Sequence, residues 1–122
     1  MDPRIAIPRD AAEVQVLVTG GNVLTPFRIV DVDKLKDSPV SLRLTDIIHS
    51  VQTGLTVYLW WEEEDGGSLI IPIEGRGRLD LSPILGIQNP RNEGWTGHVT
   101  LTTSRAEGKS FFVGLEFAKV RV

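Results

Sequence analysis

At 122 residues the chain has room for one domain and little more. Its 41% hydrophobic and 24% charged content lies near globular averages, which argues against disorder. A net charge of −3 argues against a dedicated nucleic-acid binder, which needs clustered Lys and Arg, and the lack of cysteine excludes disulfides and thiolate metal sites.

The N-terminal stretch from Met1 to Arg9 lacks the apolar run of a signal peptide, and no segment approaches the length of a membrane span. The expectation is a soluble protein of the cytoplasm, or of something assembled there. Pro3 and Pro8 each fix φ and remove a backbone donor, so residues 1–12 read as an extended arm. Such an arm is either a frayed terminus or a segment that orders against a neighbouring subunit, with Ile5 and Ile7 as its contact candidates. The folded domain is then expected over 13–122.

Val14, Val16 and Val18 alternate as strand geometry requires, and Gly20-Gly21-Asn22 marks a turn. The run from Val23 to Val32 contains Pro26, which suits an edge strand or a bulge. The polar stretch from Asp31 to Ser38 reads as a loop or one helical turn. Val40, Leu42 and Leu44 alternate again. Leu44, Ile47, Ile48 and Val51 have helical spacing, with Asp46 and Gly54 as possible caps, but their β-branched content favours a bulged strand over 45–52.

Leu55, Val57, Leu59 and Trp61 point one way and Thr56, Tyr58, Trp60 and Glu62 the other. A turn over Glu64-Asp65-Gly66-Gly67 and a return through Leu69, Ile71 and Ile73 complete a hairpin. Arg76 to Leu81 reads as a half-exposed strand, and Ser82 to Gly97 as a long loop carrying Trp95. The chain closes with strands through Val99, Leu101 and Thr103 and through Phe111, Val113, Leu115 and Phe117. About eight antiparallel strands with hardly a helical stripe predict a single all-β domain, a β-sandwich or jelly roll, with a small barrel as the alternative.

No catalytic constellation emerges from the inventory. His49 and His98 are isolated in sequence and fit no metal-ligand spacing, and no serine sits in a G-x-S-x-G elbow. Asp31, Asp33 and Asp37 suggest calcium only superficially. Counted from Asp31, Leu35 stands at the third ligand position, Lys36 replaces the glycine and Leu42 the closing glutamate. Gly75-Arg76-Gly77-Arg78 could cradle a phosphate through backbone amides and two guanidinium groups, but it lacks the P-loop spacing. Two solvent-facing arginines are the plainer reading. The expectation is therefore no enzyme, no metal and no cofactor.

Aromatic residues carry the stronger signal. Tyr58 and Trp60 are neighbours on one strand face, and Trp95 lies between glycines. Exposed Trp and Tyr are enriched at interface hot spots and can also stack on sugars, whereas a buried second face would make them core. Tyr58, Trp60, Trp95, Arg76, Arg78, Ile5 and Ile7 are the candidate contact residues.

The segments Gly54-Leu55-Thr56-Val57-Tyr58-Leu59-Trp60-Trp61 and Ile71-Pro72-Ile73-Glu74-Gly75-Arg76-Gly77 resemble small virion proteins of tailed bacteriophages. Gly94-Trp95-Thr96-Gly97-His98-Val99-Thr100-Leu101-Thr102-Thr103 and Leu115-Glu116-Phe117-Ala118-Lys119 add to the likeness, which runs mostly from Val40 onward. The resemblance implies a protein that decorates or cements a capsid shell and has no catalytic residues to transfer. Its implied partners are the major capsid protein or other virion subunits, with a homo-oligomer possible and neither nucleic acid nor membrane involved. Its implied location is the virion, after synthesis in the host cytoplasm. A carbohydrate-binding sandwich using Tyr58, Trp60 and Trp95 is the alternative.

Overall fold

The computed structural model describes residues 2–120, and contains ten strands and two single 3-10 turns. In chain order the strands are β1 (Arg4–Asp10), β2 (Glu13–Gly20), β3 (Phe27–Val30), β4 (Ser41–Val51) and β5 (Val57–Glu63). They continue as β6 (Gly66–Ile73), β7 (Arg76–Asp80), β8 (Ile87–Gln88), β9 (Trp95–Thr103) and β10 (Phe111–Val120). The larger sheet has the order β1-β2-β10-β4-β7, with β8 also on β4, and the smaller has the order β3-β9-β5-β6. All pairings are antiparallel.

Four nested pairs define the topology: β2 with β10, β3 with β9, β4 with β7 and β5 with β6. Successive pairs alternate between the two sheets, which is the winding of a jelly roll. Both sheets keep free edges, so the barrel alternative is set aside.

The inward rows are those the alternation predicts. Val14, Val16 and Val18 from β2 and Val113, Leu115 and Phe117 from β10 are at most 1% exposed. Val57, Leu59 and Trp61 meet them from the other sheet, and the Trp61 ring packs edge-on against Phe117 at 6.4 Å. At about 1.5–3 kcal/mol for each large apolar side chain buried, these rows dominate the stability of the sandwich.

The ambiguous segment over 45–52 is strand. Glu116 pairs with Asp46 and Phe117 with Leu44, so Thr45 is an extra residue on β4. That bulge shifts the inward row from Leu42 and Leu44 to Ile47 and Val51, which produces the helix-like spacing. Ile48 faces outward and is 49% exposed.

Three expectations are corrected. Residues 4–10 are not an arm apart from the sandwich but strand β1, paired with β2 through Arg4–Thr19, Ile5–Val18 and Asp10–Val14. Met1 of that expected arm, and Arg121 and Val122 of the expected domain, lie outside the described residues. The expected loop over 82–97 is broken up by the 3-10 turn at Ser82–Ile84, by β8 and by the start of β9, so Trp95 is a strand residue. β7 is exposed at all its residues rather than half-exposed.

Candidate functional site

β5 lies between β9 and β6, so its outward residues occupy the middle of the smaller sheet's outer face. Tyr58 and Trp60 stand there half-buried, with ring centroids 6.4 Å apart and planes tilted by 46°. Thr102 and Pro72 flank Tyr58 across the strands, and Thr100 and Leu69 flank Trp60. Trp60 Nε1 donates to Thr102 Oγ1 at 2.9 Å, which fixes the indole on the sheet. Beside it lies an apolar hollow of about 210 Å³ lined by Pro26, Trp60, Gly66, Gly67, Thr100 and Thr102. Leu69, 48% exposed, extends the apolar surface.

A polar clamp closes one end of this face. Arg28 on β3 forks onto Glu62 on β5, with Nε 3.0 Å from Oε1 and Nη2 2.9 Å from Oε2. Thr96 Oγ1 adds a hydrogen bond to Glu62 Oε2 at 2.8 Å. Burial alone would raise the Glu62 carboxyl, but the bonds from Arg28 and Thr96 and the guanidinium charge outweigh it and hold the pKa below the usual range. The face is thus rigid, apolar at its centre and charged at its rim.

Trp95 does not join this platform. Its cross-strand partner is Glu63, which continues the inward row of β5, so it stands on the opposite side of the sheet from Trp60. Arg91 sits over its ring at 5.3 Å, a cation–π contact.

Ile5 and Ile7 lie elsewhere again. Ile5 pairs with Val18 and therefore shares the inner side of the large sheet, but β1 is the outermost strand. The two isoleucines are 36% and 42% exposed and border a groove of about 480 Å³, with Arg28, Ile29, Lys34 and Leu35 opposite. Arg76 and Arg78 sit on β7, at the other edge of that sheet. Arg78 Nε is 3.1 Å from Asp46 Oδ1, and the Gly75 carbonyl accepts from Val51 N–H at 2.8 Å. This segment is a paired strand, not a phosphate cradle.

Both histidines are engaged by the backbone. His49 Nδ1 is 2.9 Å from the Gly75 carbonyl. Asp31, Asp33 and His98 each bring one ligand-type atom within 4.8 Å of the others, the arrangement a cation would need. However, Val32 N–H donates to His98 Nδ1 at 3.1 Å, which uses that lone pair and leaves the proton of the neutral ring on Nε2. Nε2 lies 3.8 Å from Asp33 Oδ2. Neither nitrogen then offers a free lone pair, so the triplet acts as a polar staple between β9 and the turn after β3.

Two features escaped sequence reasoning. Lys119 Nζ, on a side chain 2% exposed, donates to Asp10 Oδ1 at 2.6 Å and to the Lys36 carbonyl at 2.8 Å. On the outer face of the large sheet, the Glu13 and Glu116 carboxyls are neighbours. That contact, with burial and the nearby Glu13 and Asp46 charges, raises the Glu116 pKa. Neither pairing is visible in sequence spacing, because strand register creates both.

Comparison with models of protein families, with curated proteins and with solved structures finds no match.

Proposed function

We propose that this chain is a non-enzymatic structural protein of a tailed-phage particle, which binds the assembled shell through protein–protein contacts. The observation that carries the reading is the outer face of the smaller sheet, where Tyr58 and Trp60 border an apolar hollow inside a charged rim. Aromatic anchors beside a pocket with a polar surround are the anatomy of an interface hot spot. The Ile5/Ile7 groove, lined by apolar and charged residues alike, is a second contact surface on another side of the body. Several modest contacts on one rigid body suit attachment to a repeating lattice, where engaging more than one raises the effective strength. Jelly rolls are frequent among viral capsid and lectin domains, an analogy of fold rather than of site. A glycan platform of Tyr58, Trp60 and Trp95 is less favoured, because the third ring lies on the other side of the sheet.

The test is a Tyr58→Ala/Trp60→Ala double variant, measured for sedimentation with purified shells and for cooperative unfolding in urea. Both rings are half-buried, so the variant is expected to unfold cooperatively with a loss of about 1–3 kcal/mol. Its binding to shells is expected to fall at least tenfold, the effect of losing two hot-spot rings. Undiminished binding by a folded double variant would refute the placement of the contact on this face.

A further inference from the structure

A sheet edge that presents unpaired backbone groups is a template for another strand, and proteins guard such edges with prolines, bulges, short strands or charges of one sign that repel a second copy. Apart from β7, the edge strands of this sandwich are guarded by prolines, bulges or shortness. β1 contains Pro8, follows Pro3, and has a register break between Ala6 and Arg9. β3 is four residues long, follows Pro26, and has a break between Arg28 and Val30. β6 contains Pro72, and Ile70 is an extra residue against β5. The two-residue β8 is followed by Pro90.

β7 has neither a proline nor a bulge, and its outward charges, Arg76, Arg78 and Asp80, are of both signs. Its five residues pair with β4 in unbroken register from Asp46–Asp80 to Ser50–Arg76, and all five are exposed. The hydrogen bonds at its two ends fix which backbone groups are free. Val51 N–H donates to the Gly75 carbonyl, and Leu81 N–H to the Thr45 carbonyl. In an antiparallel ladder the residues alternate, so Gly77 and Leu79 also bond towards β4. Arg76, Arg78 and Asp80 therefore direct their N–H and C=O groups away from the sheet.

We infer that β7 is a self-association edge, and that two copies of the chain join their large sheets by pairing β7 with β7 antiparallel about a two-fold axis at Arg78. The sequence of this strand is self-complementary in that register. Arg76 stands opposite Asp80 of the other copy, twice over, and all three outward residues on each strand find hydrogen-bonded partners. Leu79, 38% exposed, lies opposite the partner copy's Gly77, where a side chain would meet only the His49 ring at 3.6 Å and beyond. Arg78 faces its own symmetry mate, but each guanidinium is already paired with Asp46 in its own chain. A register centred on Gly77 would instead set Arg76 against Arg78 and Asp80 against Glu74. The self-association is independent of attachment to a particle.

Sedimentation velocity over a range of concentrations, with urea unfolding in parallel, tests the pairing. The wild-type chain is expected to form a dimer in a concentration-dependent way. Arg78→Pro removes an N–H that points out of the fold, together with the exposed Arg78–Asp46 ion pair, so it should still unfold cooperatively close to the wild type yet remain monomeric. Arg76→Asp sets like charges opposite each other and should weaken the dimer about tenfold, and adding Asp80→Arg should restore it by reversing both charges. Should Arg78→Pro fail to fold, the Arg76→Asp and double-exchange arms still decide the matter. A wild-type chain that stays monomeric throughout, a dimer undiminished by Arg78→Pro, or a charge exchange that restores nothing would each overturn the inference.

Discussion

Asp10→Ala should lower the unfolding free energy at neutral pH by about 2 kcal/mol, between the values for an exposed and a buried ion pair, because the Lys119–Asp10 contact is part-buried. The Lys119 side chain is 2% exposed, and among the described residues its ammonium keeps the Lys36 carbonyl once Asp10 is gone. Lys36 N–H, which donates to Asp10 Oδ2 at 2.9 Å, loses its acceptor as well. The carboxylate thus ties together the end of β1, the loop at Lys36 and the end of β10. Burial would raise the Asp10 pKa, but the bonds from Lys119 and Lys36 and their charges outweigh it and leave it below the ordinary value. A carboxyl depressed in the folded state stabilises above its unfolded pKa and loses that contribution as pH falls through its folded pKa. Urea unfolding of wild type and variant should therefore differ clearly at neutral pH and converge in acid. A difference of the same size at both pH values would show that the effect is packing, not charge.

Because β1 is held in this way, deleting residues 1–12 would strip β2 of a neighbour as well as removing Ile5 and Ile7. Such a truncation reads out stability before it reads out attachment. Point changes at Ile5 and Ile7 are the cleaner probe of the groove.

Gly97→Ala is expected to cost somewhat more, on the order of 3 kcal/mol, from a strained backbone and a steric collision together. Gly97 has φ of +86°, and a Cβ built there would lie 2.4 Å from the Val40 carbonyl oxygen and 3.2 Å from a Val32 methyl. Val40 has little freedom to retreat, since its N–H donates to the Val120 carbonyl at 3.2 Å. Movement at Gly97 would also disturb Thr96 on the Glu62 clamp and His98 on the Val32 amide. Gly108→Ala is the control: its φ is +74°, but nothing lies within 4 Å of a built Cβ. It should cost about 1 kcal/mol, from the backbone conformation alone. Equal thermal-shift losses for the two variants would contradict the collision.

The parts of the fold that were legible in sequence are those where one side chain in two is driven into the core. β2, β5, β9 and β10 alternate because each has one face on the sandwich interior, and the Leu55 to Ile73 hairpin follows from that pattern with its turn centred at Glu64-Asp65. β1 and β8 were not legible, for a physical reason. β1 is outermost, so its isoleucines are only partly covered and its prolines resemble those of a linker, while β8 has only two residues. The bulge at Thr45 gave a strand helix-like spacing by shifting the inward row by one residue, and the β-branched residues there still favoured the strand.

The contact candidates were legible as residue types but not as a site. Tyr58 and Trp60 come together because they alternate on one strand. Trp95 is separated from them by the register of β9 on β5, which composition does not encode. The Arg28–Glu62 clamp joins residues 34 apart and the Lys119–Asp10 pair residues 109 apart, so only the winding of the jelly roll creates them. The self-complementary charge pattern of β7 is likewise without meaning until the strand is known to be an edge.

The most direct measurement of the proposed attachment is quantitative mass spectrometry of tailed-phage particles purified from cells that express the gene. A structural protein that binds the shell should be present in fixed proportion to the major capsid protein and should remain so after a high-salt wash, since its anchors are apolar. A chain abundant in the infected cell but absent from washed particles would contradict the account.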